Sequence, residues 1–339
     1  MKLLKVSNIA WIAVFVALLS AKSLSAQSTI VHDPVMIREN STYYLFATGL
    51  GIDVLSSADM INWTKEKPVF ESGPQWAIDA VPGFKGHIWA PDISYHNGQY
   101  YLYYSVSAFG KNTSCIGVAT NKTLDPDDPG FKWVDHGKVI QSFPGQTEWN
   151  AIDPNLVVDR DGTPYLFFGS FWDGLKRVKM KHDLLSVDED ANAIPTVASR
   201  AKSSDETNTS SVDENAADAG VNAIEAPFVF QKGDYYYFFA SIDFCCRGVK
   251  SSYKMIVGRS KSLTGKFVDK DGENMAQGGG SIVLQGDENW HGVGHNGVVS
   301  FDGKDYLVFH GYDAKDGGHP KLLIREITWD ANLWPVVEL

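Results

Sequence analysis

Three acidic residues stand just ahead of prolines, in the phrases His32-Asp33-Pro34, Ile152-Asp153-Pro154 and Glu225-Ala226-Pro227. Carboxylates that meet in one pocket repel, so one is pushed toward its protonated form while another stays charged. An acid and a base with separated pKa values are what cleavage of a glycosidic bond needs. Acidic residues ahead of strands also cap turns. Recurrence at three equivalent points of one repeat favours convergence of Asp33, Asp153 and Glu225 on a shared site instead. Glu225 precedes its proline by one residue more than the two Asp, so it should approach from a different angle.

The elements that must position these residues form a fivefold repeat. Each copy starts at a polar cluster, runs through an apolar strand, turns, and enters an aromatic strand. The aromatic phrases are Tyr43-Tyr44-Leu45-Phe46-Ala47, Tyr100-Tyr101-Leu102-Tyr103-Tyr104, Tyr165-Leu166-Phe167-Phe168, Tyr235-Tyr236-Tyr237-Phe238-Phe239 and Tyr306-Leu307-Val308-Phe309. Asn97-Gly98, Asp161-Gly162 and Asp302-Gly303 ahead of three of them are hairpin signals. The anchors at positions 34, 91, 154, 227 and 297 leave room for about four short strands each. The fold class is therefore all-β, and four-stranded units repeated radially give a five-bladed β-propeller. A sandwich or a solenoid of the same units is the alternative. A solenoid spreads its polar clusters along a line, whereas a propeller gathers them on one axis.

Residues 1–26 read as a secretory signal peptide. Lys2 and Lys5 precede the apolar run Ile9–Leu19, and small residues up to Ala26 follow. That run is short of the roughly 20 residues a bilayer span takes, so no stable membrane insertion is expected and the product is secreted, either to a periplasm or outside the cell. Residues 27–339 then form the single catalytic domain. Within it, residues 188–220 are acidic and poor in large apolar side chains, which predicts a solvated, flexible insertion. The net charge of −11 disfavours nucleic acid as a partner. The ten Trp and fourteen Tyr suit sugar rings where they are exposed, although most should fill the core. With three cysteines there is no disulfide framework, and the adjacent Cys245 and Cys246 are expected as two thiols.

Six phrases in order resemble glycoside hydrolase family 43, and within it the arabinanases. They are His32-Asp33-Pro34, Trp89-Ala90-Pro91-Asp92, Trp149-Asn150-Ala151-Ile152-Asp153-Pro154, Gly169-Ser170-Phe171-Trp172, Ala223-Ile224-Glu225-Ala226-Pro227 and His291-Gly292-Val293-Gly294-His295-Asn296-Gly297. The resemblance implies an enzyme acting on arabinan or arabino-oligosaccharides with inversion at α-1,5-linked L-arabinofuranosyl bonds, and endo action; a monomer is expected. It makes Asp33 the general base, Glu225 the general acid, and Asp153 the residue that tunes the acid and holds it and the sugar. Inversion asks for base and acid about 6.5–9.5 Å apart, with water between.

The same resemblance makes Asn150, Ala151, Ile152, Ser170, Phe171 and Trp172 sugar-contacting stretches, with Phe109 and Gly110 as a further contact. Trp89 becomes a stacking platform, or alternatively core. It also places His295 near a metal ion, expected to be Ca2+. A lone imidazole is a poor calcium ligand, so water would complete the shell. Alternatively, His295 hydrogen-bonds Asp33 or Glu225. Exo-arabinanase, arabinofuranosidase and β-xylosidase activities share this frame. A fructan-cleaving propeller fits poorly, because that class is expected to begin with Asn-Asp-Pro where this chain has His32-Asp33-Pro34. A non-catalytic sugar-binding propeller would not need all three carboxylates.

Overall fold

The aromatic phrases are buried on both faces, which is why they read as continuous apolar runs rather than alternating ones. The computed structural model describes residues 29–188, 194–200 and 222–339; the expected signal peptide lies outside them. The chain opens with β1 (Val35–Glu39), β2 (Thr42–Ala47), β3 (Gly49–Leu50), β4 (Asp53–Ser57) and β5 (Thr64–Lys65). Strands β1-β2-β4-β5 make the first blade, and β3 crosses to the second. The helix α1 (Gln75–Ala80) precedes β6 (His87–His96), β7 (Gln99–Val106), β8 (Ser114–Asn121) and β9 (Val134–Ser142) of the second blade. The third blade is β10 (Asn155–Val158), β11 (Pro164–Phe168), β12 (Leu175–Lys179) and β13 (Thr196–Ala198). The fourth is β14 (Ile224–Lys232), β15 (Tyr235–Ile242), β16 (Lys254–Ser260) and β17 (Ser281–Gln285). The fifth is β18 (Trp290–Phe301), β19 (Lys304–Asp313), β20 (Pro320–Trp329) and β21 (Pro335–Val336).

The innermost strands β1, β6, β10, β14 and β18 touch in that order, and β18 touches β1, so the five blades close a ring. Five apolar clusters fill the five gaps between neighbouring blades. Side chains alternate across a strand, and the second strands use both faces. Tyr236, Phe238 and Ala240 pack toward the third blade, while Tyr237 and Phe239 pack toward the fifth. The ring is sealed on β20, which carries β21 at Thr328 and Trp329 and the segment Thr29–Val31 around Lys321.

The expected flexible insertion is corrected in part. Thr196–Ala198 is the outer strand of the third blade, with Val197 and Ala198 buried. The short apolar run from Ile194 to Ala198 supplies this strand within the acidic stretch. The remainder of that stretch, 189–193 and 201–221, lies outside the described residues.

One device repeats at every blade junction. Asp33, Ala90, Asp153, Ala226 and His295 all have left-handed backbones, with φ of 51°, 42°, 56°, 55° and 53°. In blades two, four and five this residue sits in a bulge where the pairing register shifts. A non-glycine residue held there costs of order 1–3 kcal/mol, so the surroundings must hold it. They do so through its N–H. Ala90 donates to Thr48 Oγ1 (2.8 Å), Asp153 to Ser105 Oγ (2.9 Å), His295 to Ser241 Oγ (2.8 Å) and Asp33 to His310 Nδ1 (3.1 Å). Each acceptor lies at or near the C-terminal end of the second strand of the preceding blade. At the fourth junction Ala226 donates instead to Asp153 Oδ2 (3.0 Å), and Ser170 is released to bond Glu225. Replacing Ser105 by Ala leaves the buried Asp153 N–H without its acceptor. The expected cost is about 1–3 kcal/mol, read as a lower urea midpoint with unchanged m-value; an unmoved midpoint would show that the latch is dispensable.

Candidate functional site

The left-handed residues turn their neighbours toward the axis. Pro34, Pro91, Pro154, Pro227 and Asn296 line a central cavity together with Asp92, Asp153 and His295. Asp153 lies in its wall, Asp33 is buried next to the lining residue Pro34, and Glu225 is half-buried in β14. In the ring order the blades of Asp153 and Glu225 are neighbours, whereas the blades of Asp33 and Glu225 are separated by the fifth blade.

Asp33 is the most densely held group. Thr48 Oγ1 donates to Oδ2 at 2.6 Å, His32 Nδ1 lies 2.8 Å from the same oxygen, and His295 Nδ1 lies 3.1 Å from Oδ1. Burial by itself would raise the Asp33 pKa, but the facing imidazoles of His295 and His32 overcome it and hold the carboxyl well below its ordinary value. His295 responds in kind: burial opposes its charge, yet Asp33 raises its pKa to about 9. Asp153 moves the other way. Burial, reinforced by Glu225 and Asp33 against the pull of His295, lifts it to about 8. Two interacting, buried carboxyls of one type therefore hold different charge states near neutral pH.

Ser170 Oγ donates to Glu225 Oε2 at 2.8 Å. Burial, and then the charges of Glu225 and Asp153, push the Tyr253 phenol well above its ordinary value, so it stays a neutral donor facing them. Its ring lies flat on the backbone before His295; a Cβ at Gly294 would fall 2.2 Å from it, which explains the glycine there.

The remaining expected residues divide into two groups. Phe109 is 76% exposed, Gly110 beside it takes a left-handed turn (φ 71°), and Trp89 is half-buried with its indole N–H on His87 Nδ1 (2.9 Å). Phe171 is half-buried and its ring faces Phe244 at 6.0 Å. These side chains reach the surface. Asn150, Ala151, Ile152 and Trp172 are buried, and Ala151 belongs to the cluster between the second and third blades. Their side chains are thus less accessible than those of Phe109, Phe171 and Trp89.

The cysteine expectation is also corrected, because Cys245 and Cys246 pair as a vicinal disulfide. Adjacent cysteines can close a ring when the turn carries a left-handed residue, and Cys246 has φ 63°. Residues not singled out from the sequence include Thr48, Tyr253, His310 and Tyr312. Thr48 and His310 did leave a signal: with Ser105, Ser170 and Ser241, they close the aromatic phrase of their repeat.

Two places bear on a metal. His32, Asp33 and His310 gather donor atoms within 4.8 Å of one another, but Asp33 Oδ2 already takes His32 Nδ1, and His310 Nδ1 takes the Asp33 N–H. Beside His295, Asn296 is buried and neither its Oδ1 nor its Nδ2 has a partner among the described residues.

The sequence model described as Glycosyl hydrolases family 43 matches residues 27–335. The chain is 47% identical over 328 residues to the extracellular exo-α-(1→5)-L-arabinofuranosidase ArbA of Cellvibrio japonicus, covering 97% of this chain and 92% of that protein. It is 40% identical over 314 residues to the extracellular endo-α-(1→5)-L-arabinanase 1 of Bacillus subtilis, covering 91% and 88%. Among solved structures, the α-L-arabinanase of Cellvibrio cellulosa complexed with arabinohexaose superposes with a TM-score of 0.86 at 48% identity, over 91% of this chain and 96% of that one.

The electrostatics of the site are testable without any substrate. Replacing His295 by Gln removes the facing cation that does most to hold Asp33 down. The Asp33 carboxyl is then expected to titrate at higher pH in carbon NMR; an unmoved titration would remove His295 as the cause.

Proposed function

The chain belongs to glycosyl hydrolases family 43 and is a glycosidase, and from that premise we propose that it hydrolyses the α-1,5-linked L-arabinofuranosyl bonds of arabinan by inversion. The observation that carries the mechanism is the charge state of Asp33 across the ring from Glu225. Asp33, held anionic by its imidazole neighbours, takes the proton of the attacking water as that water's oxygen bonds to the anomeric carbon. Glu225, held by Ser170, gives its proton to the departing glycosidic oxygen. Asp153 fixes the Glu225-Ala226 bulge through the Ala226 N–H. The intervening fifth blade supports a gap between base and acid wide enough for water and sugar.

For the mode of attack, the relative at 47% identity is named as exo-acting and the one at 40% as endo-acting. The higher identity favours release from a chain end. Endo action, expected from the sequence phrases, is the second reading. Phe109, exposed beside Gly110, and the half-buried Phe171 and Trp89 are the side chains we assign to the sugar.

The residues present also fit a hydrated calcium ion on the axis. Asn296 Oδ1 is a hard oxygen donor without a partner. His295 uses Nδ1 on Asp33, so only its Nε2 can face a metal. Calcium takes six to eight oxygen ligands, so water would supply most of the shell. When bound, the ion supplies positive charge among carboxylates.

Digestion of linear, debranched arabinan with products resolved by size tests the activity. A single short product from the start is expected. A ladder with early loss of viscosity would overturn the exo mode, and absence of any product would overturn the substrate assignment. Glu225→Gln is expected to lose about 10²–10⁴-fold in rate, and full activity would refute its role as acid. Dialysis against a calcium chelator is expected to lower the Tm, with calcium restoring it; an unchanged Tm would remove the ion from the site.

A further inference from the structure

The vicinal disulfide sits at the end of a hydrogen-bonded chain that leads to Asp33, and this inference rests on the role of Asp33 as base. The Cys246 N–H donates to the Tyr312 hydroxyl at 2.7 Å. Tyr312 is buried on β19, and its oxygen lies 2.9 Å from His32 Nε2. His32 Nδ1 in turn lies 2.8 Å from Asp33 Oδ2. The His32 ring is also stacked on His310, with centroids 4.1 Å apart, so it has little freedom to turn.

With His32 neutral, the proton count along this chain has one solution that fills its contacts. A phenol has a single proton to give. With the Cys246 N–H donating to its oxygen, Tyr312 directs that proton to His32 Nε2. Two other groups are in reach: Cys246 Sγ at 3.9 Å, a weak acceptor, and the Ser251 hydroxyl, which as a donor to the phenol oxygen leaves the phenol proton to His32. Nε2 is then an acceptor, so the ring proton lies on Nδ1 and is donated to Asp33 Oδ2. That oxygen also receives the Thr48 hydroxyl at 2.6 Å. Two donors occupy Oδ2, whereas Oδ1 has one close donor, His295 Nδ1 at 3.1 Å, and keeps a lone pair for the proton of a water molecule.

We propose that the Cys245–Cys246 turn and Tyr312 are a positioning unit: they fix the tautomer and orientation of His32, and so decide which oxygen of Asp33 meets the attacking water. The disulfide contributes by restricting the backbone of both cysteines, which keeps the Cys246 N–H aimed at Tyr312. Reduction by a dithiol breaks the S–S bond, leaves two cysteine thiols and converts the reductant to its cyclic disulfide. The turn is then free to move.

The test compares the wild-type enzyme, Tyr312→Phe, and Cys245→Ser/Cys246→Ser on a soluble linear arabino-oligosaccharide, each before and after treatment with dithiothreitol. A fall of about ten- to a hundredfold in kcat with KM within twofold is expected for Tyr312→Phe and for the reduced wild type. Reoxidation should restore the wild type. The dithiol should have no further effect on either variant, because the relay is already broken. A raised KM with unchanged kcat would overturn the proposal and make the turn a sugar contact. Unchanged kinetics, or effects of reduction and Tyr312→Phe that multiply independently, would overturn it as well. Glu225→Gln serves as the control: if the oxidised, folded wild type cuts no arabinan-derived substrate, the assigned activity fails first. If the wild type cuts and Glu225→Gln does not, the activity stands and only the positioning claim is in question.

Discussion

The structure depends on how each blade holds the first residue of the next. Five non-glycine residues take left-handed backbones at the inner rim, and such a conformation persists only where its surroundings over-determine it. The over-determination is a single N–H given to the end of the preceding aromatic strand at four junctions and to Asp153 at the fourth blade. Because the same bond joins the blades and sets the bulge, ring closure and active-site geometry are one constraint. Asp33, Asp153 and His295 are themselves left-handed residues of this ring, and Glu225 immediately precedes another. The groups assigned to catalysis are thus carried by the backbone bend that the fold requires at every junction.

Electrostatics then separates residues that sequence treats alike. Asp33 and Asp153 occupy equivalent positions, both buried. At Asp33 the imidazoles of His295 and His32 overcome burial and hold it anionic, whereas at Asp153 burial, aided by Glu225 and Asp33 against His295, lifts it to about 8. Both interact with His295, but Asp33 pairs with it directly and has His32 beside it, whereas Asp153 has Glu225 close by. The fourth junction shows the same economy. Asp153 replaces the hydroxyl latch there, which frees Ser170 to hold Glu225.

Much of this was legible in the sequence, because the repeat is carried by side chains whose spacing survives without coordinates. The fivefold polar-then-aromatic phrase gave the number of blades, and the hairpin at Asn97-Gly98 takes the positive φ angles its residues foretold. The approach of Glu225 from one residue earlier follows from its place before the bulge at Ala226. What stayed hidden depends on contacts between distant segments. Nothing local marks Tyr312 as a partner of Cys246 and His32, which stand 66 and 280 positions away. The cysteine pair was misjudged because the left-handed turn that allows its closure is a property of the fold. The outer strand at Thr196–Ala198 was hidden by the acidic residues around it. The burial of Ala151 and Trp172 was hidden because a phrase records neighbours in the chain and not the direction of side chains.

The seam of the ring lies on β20, where Thr29–Val31 and Pro335–Val336 dock on the same strand. A ribosome or a translocation channel delivers the first of these partners some three hundred residues before the second. While the chain emerges N-terminus first, blades one to four can assemble in order, but the circle stays open until the last strand has arrived. Closure of the ring is therefore timed by delivery of the far end of the chain.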